Sequence, residues 1–503
     1  MKQKIQIIWF KKNLRISDNE IFHLLNPNIP TLGWFLFEPS IIWLPDYSLF
    51  HKKFTLDSLK DLGKNLSFYN IPLLIEEKEW IESLENLEKH YEIVHIFSHE
   101  ETWNLATFQR DIALEKYLKS QKIPFIQVTT NGIVRRLKQR NNWSKIWNER
   151  MKQDLFHPQK ICSFWENNFA FSSQELIQKI TQETQHLSIQ IGWEIQAHKI
   201  LKDFLDKRVK NYSYHIGIPH LSQNSCSRLS PYITYWNISI KYIVHKCAEK
   251  IEILKENPTQ ENKNHIKQIS FFLSRLHWQS HFIQKLESQY DIEFKNLFSA
   301  YDTIRNEQND EIIENFFQGK TWIPFIDACM KCLKNTGWIN FRSRAMIVSY
   351  ICNTMMQPWQ AIAPKLAQLF VDYEPGIHYS QIQMQAGTTW INTIRIYNPI
   401  KQSKEKDEMW VFIKKWIPEL RHLSPEHIHT PWTSCEKIAW YDREIPIDTL
   451  NKAAGKILWW IKNNRDYSQE KSWIIEKHAS RKTRVKKEKT KKEEKVSNQM
   501  ELF

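Results

Sequence analysis

Glycine is scarce, with 10 among 503 residues, and no G-x-G-x-x-G run occurs. Glycine-rich loops that hug a phosphate are therefore disfavoured, and with them the common dinucleotide-dependent dehydrogenase. Cysteine is thin as well: 7 scattered residues, an odd number, cannot all pair within one chain, and reduced thiols are expected. No apolar run approaches the roughly 20 residues that cross a bilayer. The opening MKQKIQIIWFKK lacks the apolar stretch and small-residue cleavage site of a signal peptide. A cytoplasmic monomer with no membrane partner is expected. Hydrophobic residues at 42% and a mean hydropathy of −0.55 exclude both a polytopic membrane protein and a fully disordered chain.

Positive charge and tryptophan are abundant. Seventy Lys and Arg against 56 Asp and Glu give a net charge of +14, which points to a polyanion such as nucleic acid. Residues 481–503 hold nine of those basic residues and four Glu, so +5 of the charge lies in a segment too polar to fold. The 22 tryptophans suit cores, stacking platforms and electron transfer alike.

Along residues 1–130 short β-like runs (IQIIWF, TLGWFLF, IPLLIEE, EIVHIFS, PFIQVTT) alternate with amphipathic stretches such as SLFHKKFTLDSLKDLGKNL and TFQRDIALEKYLKSQ. Strands separated by helices predict a parallel, Rossmann-like α/β sheet with its ligand beyond the carboxyl ends of the strands. Residues 131–200 read as an irregular connection, 201–475 as an all-α domain, and 476–503 as a basic disordered tail. In GWINFRSRAMIVSYICNTMMQPW, apolar residues at 338, 341, 345, 346, 350, 351 and 355 predict one helix ending before Pro358. Cys329 and Cys332 sit three apart on a helix with no second ligand pair suitably placed, so packing rather than a metal is expected.

Several segments together resemble the DNA photolyase and cryptochrome family: IWFKKNLRISDNEIF (8–22), SRLSPYITYWNIS (227–239), FLSRLHWQSHFIQKL (272–286), GKTWIPFIDACMKCLKNTGWINFRSRAMIVS (319–349), RIYNPIKQS (395–403) and FIKKWIPELRHL (412–423). They occur in the family's order. The resemblance implies an α/β antenna domain joined to a helical FAD-binding domain, with a possible second chromophore of unknown identity.

On residues alone, Ser227, Arg228, Leu229 and Ser230 are a plain helix start. The resemblance makes them the element that holds the FAD diphosphate, with Tyr214 lining the same cofactor and Cys226 replacing a usual hydroxyl. It likewise implies that Arg344 and Asp372 form an ion pair beside the flavin ring, and that Glu374 approaches its pyrimidine edge. Trp278 is expected to stack on a flipped-out lesion, with Gln279, Arg342 and Arg395 facing the cavity or the DNA. Trp359 matches the middle of an electron relay whose outer position falls near Asn306 and whose inner one falls in GIHYSQ, with Tyr379 the nearest aromatic. Trp278 and Trp359 are thus the expected catalytic residues. The residue facing flavin N5 is His378, Ile377 or Gly376. Ile339, Asn340 and Phe341 depart from the common pattern, and the absence of histidine at 340 and 341 ranks (6-4) repair below cyclobutane-dimer repair. What the resemblance implies is light-driven electron donation from reduced FAD to damaged DNA, or, in another class, a cryptochrome photoreceptor without repair.

Overall fold

The computed structural model describes residues 2–129, 131–137, 140–158, 173–436, 438, 440–464 and 467–478. Cys162 and the basic tail beyond residue 478 lie outside the described residues. Five parallel strands, β1 (Gln3–Phe10), β2 (Thr31–Leu36), β3 (Leu73–Glu76), β4 (Tyr91–His99) and β5 (Phe125–Val128), form one sheet in the order β3-β2-β1-β4-β5. Because successive strand side chains point to opposite faces, β1 feeds two cores. Ile5, Ile7 and Trp9 pack with Leu84, Leu87, Leu114 and Leu118 from α2 (Trp80–His90) and α3 (Leu105–Ser120). Ile8 and Phe10 pack with Leu56, Leu59, Leu62 and Leu66 of α1 (Leu49–Ser67). The strand order reverses direction between β1 and β4, the place where open α/β sheets leave a crevice.

The connecting region differs from the irregular reading. It holds α4 (Trp143–Met151) and α5 (Gln174–Thr184), and α6 (Glu194–Asp206) runs out of it. Trp143, Trp147 and Met151, spaced by four, supply a buried stripe that sparse aromatic residues conceal in a polar sequence.

The rest is helical: α7 (Tyr212–His215), α8 (Ser230–Thr234), α9 (Ile240–Glu256), α10 (Gln260–Ser288), α11 (Pro324–Thr336), α12 (Phe341–Ser349), α13 (Trp359–Leu369), α14 (Pro375–Ala386), α15 (Ile447–Asn463) and α16 (Ser468–His478). α10 is the spine. α14 crosses it so closely that a Cβ on Gly376 would stand 2.6 Å from Cα of Ile283, which requires glycine there. α12 passes into a π-turn over Tyr350–Thr354 and stops before Pro358, as its spacing predicts. Phe341 departs from that prediction, opening the helix at 39% exposure instead of joining the buried face. No helix among the described residues is long and apolar enough to cross a membrane.

The two halves meet in a polar seam. Arg15 donates to the Trp236 carbonyl (2.9 Å), Asn237 to the Leu14 carbonyl (3.1 Å), and Tyr373 to Asp46 (2.5 Å). Each bond satisfies a group that burial would otherwise leave costly.

Candidate functional site

Arg344, on α12, donates from Nη2 to Oδ2 of Asp372 at 3.0 Å and from Nε to the Ile339 carbonyl at 2.9 Å, and its guanidinium stands 4.2 Å from the Phe370 ring centre. Three contacts fix the charge in one direction. Asp372 lies between α13 and α14, with its carbonyl 3.4 Å from the hydroxyl of Thr234 at the end of α8. The expected pair is therefore formed, and it sits against the expected phosphate element.

Two acceptors nearby remain unspent: Oδ1 of Asp372 and Oε1 of Glu374 are buried without a hydrogen-bond partner. An orphaned buried acceptor costs about 1–3 kcal/mol, so native folds rarely keep one without use. Burial pushes the Glu374 carboxyl well above the usual carboxylate range, with Lys12 opposing and Glu101 reinforcing the shift. The Arg344–Asp372 pair, with one free carboxyl oxygen on Asp372 and another on Glu374 two residues on, fits the N–H-bearing pyrimidine edge of an isoalloxazine.

Lys12 comes from the other domain. It leaves the carboxyl end of β1 at the sheet's reversal point, with its ammonium 3.7 Å from the Trp103 ring centre and 4.8 Å from that of Tyr235. Desolvation brings its pKa down to about 8 against the pull of Glu101, Glu374 and Asp46. With Asp46, His51, Trp103, Asn104 and Tyr373 it lines a small cavity in the seam.

The loop before α8 is held from its carbonyl side. Arg208 donates to the carbonyls of Cys226 (2.5 Å) and Ser227 (3.4 Å), and Gln190 to that of Arg228 (3.0 Å). Arg228 adopts a φ of +58°, and its guanidinium lies 3.8 Å from the Trp338 ring centre. A left-handed arginine costs on the order of 1–2 kcal/mol and persists where surroundings dictate it. Burial draws Arg228 down to about 10, with Asp372 opposing and Arg344 adding to the shift, so the three charges form one group. Ser230 opens α8 as expected, whereas the Leu229 side chain is fully buried in the core. Tyr214 is 61% exposed on the outer side of α7, two residues and about half a turn from Tyr212. Tyr212 takes the buried aromatic place, 5.4 Å from Phe204 and 5.8 Å from Phe272.

Trp278 is half-buried on α10, edge-on to His281 (4.9 Å) and 6.0 Å from Phe282. Gln279 does not join it; it lines a separate seam cavity with Arg15, Asn131, Trp236 and Ser239. Arg342 lies 5.9 Å from the Tyr397 ring, and Ser349 binds the Tyr397 amide and the Arg395 carbonyl, which brings the two arginine segments together. Asn340 is committed elsewhere, donating to the Ile216 carbonyl at 2.9 Å and accepting from Ser343 at 2.6 Å.

Trp359 is buried, donates from its indole N–H to Asn296 Oδ1 at 2.7 Å and lies 6.3 Å from the Tyr379 ring. Asn306 is exposed. His378 bonds the Ala363 carbonyl at 2.8 Å between the rings of Tyr373 (5.1 Å) and Tyr379 (5.3 Å). Cys329 and Cys332 are fully buried in the largest apolar core, in agreement with the packing reading. Lys12, Asp46, Arg208 and Tyr373 escaped the sequence reading; the paired lysines after β1 were the one available signal.

Comparison with known proteins bears directly on this arrangement. Residues 6–144 match the DNA photolyase domain and residues 272–454 match the FAD binding domain of DNA photolyase. The chain belongs to the DNA photolyase and cryptochrome family. It is 27% identical over 248 residues to the deoxyribodipyrimidine photo-lyase of Alkalihalophilus pseudofirmus, a match that spans 48% of each chain. With the enzyme of that name from Vibrio cholerae the identity is 23% over 453 residues, covering 85% of this chain and 93% of the relative. The chain thus matches only about half the length of the former and nearly all of the latter. The solved class III photolyase of Agrobacterium tumefaciens shares the fold, with a TM-score of 0.75 at 18% identity over 92% of this chain and 99% of that one. Within this family the Arg344, Asp372 and Glu374 group falls in or beside the FAD binding domain's helices α12 to α14.

Proposed function

We propose that this protein is a light-driven DNA repair enzyme that splits cyclobutane pyrimidine dimers with bound FAD. The observation that carries this reading is the fixed Arg344–Asp372 pair, with an unpartnered buried oxygen on Asp372 and another on Glu374 two residues on, inside the segment that matches a photolyase FAD binding domain. FAD, when bound, supplies the light absorption and the electron that opens the cyclobutane ring and is afterwards recovered.

The chain's own residues do the rest. Arg344 favours an anionic reduced ring, and the free oxygens of Asp372 and Glu374 accept ring N–H groups. Ser227, Arg228 and Ser230 hold the diphosphate, with Arg208 fixing the loop from behind. Lys12, packed against Trp103 and Tyr235, opposes the upward shift of the Glu374 carboxyl and lines the cavity in the seam. Trp278 offers its face to the extruded pyrimidines, which leave the duplex at reduced cost because a damaged pair is already poorly stacked. Arg342 and Arg395 hold backbone phosphates without reading sequence. Trp359 and Tyr379 are the buried aromatic pair of the expected electron relay, 6.3 Å apart, with Asn306 at its outer position. In this reading residues 1–130 are the antenna domain, 131–200 the connection, 201–475 the FAD domain and 476–503 a basic tail, and the protein works on damaged DNA as a cytoplasmic monomer.

The test is a dimer-containing oligonucleotide irradiated with blue light in the presence of protein whose flavin is fully reduced. Restored pyrimidines in the light and none in the dark support the reading. No light-dependent restoration overturns it.

A further inference from the structure

On one face of α10, Trp278, His281, Lys285 and the capping Gln289 succeed one another at helical spacing. Other elements bracket that stripe. At one end Arg140 donates from Nη2 to Nδ1 (2.8 Å) and to the carbonyl (2.9 Å) of His281. At the other, His478 of α16 bonds Gln289 at 2.6 Å through Nε2. Lys285 stands between them, 5% exposed, 6.0 Å from the Phe282 ring, with no hydrogen bond or ion pair to any described residue.

Three nitrogens here are unsatisfied, two guanidinium donors and one imidazole nitrogen that becomes a donor on protonation. Nε and Nη1 of Arg140 and Nδ1 of His478 are buried without partners, and His478 is only 2% exposed. Burial pushes Lys285 down to about 8 and His281 and His478 down to about 2, with Arg140, Lys285, His277 and Lys477 adding repulsion. No carboxylate among the described residues enters that balance. Basic groups gathered in low dielectric without a counter-ion cost free energy that a bound anion returns.

We propose that Arg140, Lys285 and His478 form a binding site for a tetrahedral oxyanion of the phosphate class. Lys285 and the free edge of Arg140 are its ionic partners, and Nδ1 of a protonated His478 is the third donor. The site goes beyond the repair reading and stands without it. That reading matters only for the source of the phosphate. Trp278 lies seven residues from Lys285, about 10 Å along the helix, so a strand phosphate near a stacked base and a free phosphate share this chemistry.

The full chain is titrated with inorganic phosphate, and with chloride at matched ionic strength, while the histidine ring resonances and the melting temperature are followed. The expected result is a saturable shift of the His281 and His478 signals with phosphate alone, and a rise in melting temperature of about 1–3 °C at tenfold excess over Kd. Lys285→Met abolishes the response and Lys285→Arg keeps it. Equal effects of phosphate and chloride on the wild type overturn the proposal, and that measurement needs no variant to fold. A full response in Lys285→Met overturns it too. The source follows from competition. Phosphate that weakens binding of undamaged single-stranded DNA to the wild type but not to Lys285→Met marks a strand-phosphate site. DNA binding indifferent to phosphate, with the resonance shift retained, marks a site for the free ion.

Discussion

The hydroxyl of Tyr373 donates a 2.5 Å hydrogen bond to Oδ2 of Asp46, joining the helical domain beside the Arg344–Asp372 pair to the α/β domain across 327 residues of sequence. Tyr373 directly follows Asp372, so the same turn that carries the Arg344 pair also clasps the other domain. Burial raises the Asp46 carboxyl above its usual range, with Tyr373, Asn104 and Lys12 opposing. Tyr373→Phe removes the donor and leaves a buried acceptor, and is expected to lower stability by about 1–3 kcal/mol. Urea unfolding followed by circular dichroism checks this, with an unchanged midpoint as the contrary result.

The seam also predicts a pH dependence. Glu293 accepts from the Leu105 amide at 3.0 Å, and burial raises its pKa to about 7. A carboxyl raised on folding lends stability below its unfolded value, and that stability is lost as pH climbs through the folded one. Stability is therefore expected to fall from the unfolded carboxyl range near pH 4.5 to about 7. Glu293→Gln removes about 3 kcal/mol of that decline. Glu38, also raised to about 7 by burial, keeps some slope in both proteins. Unfolding midpoints measured from pH 4 to 8 decide it.

Arg344→Met leaves Asp372 without its partner. Because the arginine side chain is 25% exposed, the expected loss of stability is about 1–3 kcal/mol, less than for a fully buried pair. Flavin retention is expected to fall at least tenfold, read as absorbance per chain after gel filtration. Retention equal to the wild type would remove Arg344 from the site.

Trp278→Ala removes a stacking face worth about 1–3 kcal/mol per base. Dimer-containing single strands are expected to bind roughly 5- to 150-fold more weakly, while undamaged strands change little. Fluorescence anisotropy on the two strands separates a lesion contact from a general loss of fold.

Trp359→Phe deletes the indole N–H that bonds Asn296 and loosens the contact with Tyr379. Light-driven reduction of the bound cofactor is expected to slow. Repair by chemically reduced protein is expected to persist, because that route lies upstream of the repair step.

The α/β sheet was legible because its strands are buried on both faces, as continuous runs such as IQIIWF announce, and helices such as α1 and α3 separate them with clear periodicity. Arg344 and Asp372 were legible through family motifs. Tyr214, expected to line the cofactor, is exposed, and counting back from Ser227 does not tell which of two tyrosines two apart faces inward; Tyr212 is the one packed on Phe204 and Phe272. Gln279 follows Trp278 in sequence and lines the seam cavity with Arg15 and Trp236. Lys12 and Asp46 stayed invisible because a charged residue in a loop ordinarily meets water, and only the docking of two domains buries these.

The central claim is that Arg344, Asp372 and Glu374 hold a flavin in the helical half. Its most direct test is to titrate the purified full chain with FAD and record the absorption and fluorescence of the ring. Saturation at one flavin per chain, with binding weakened by Arg344→Met, is the expected result. A wild-type protein that stays colourless through the titration, folded by circular dichroism, would contradict it.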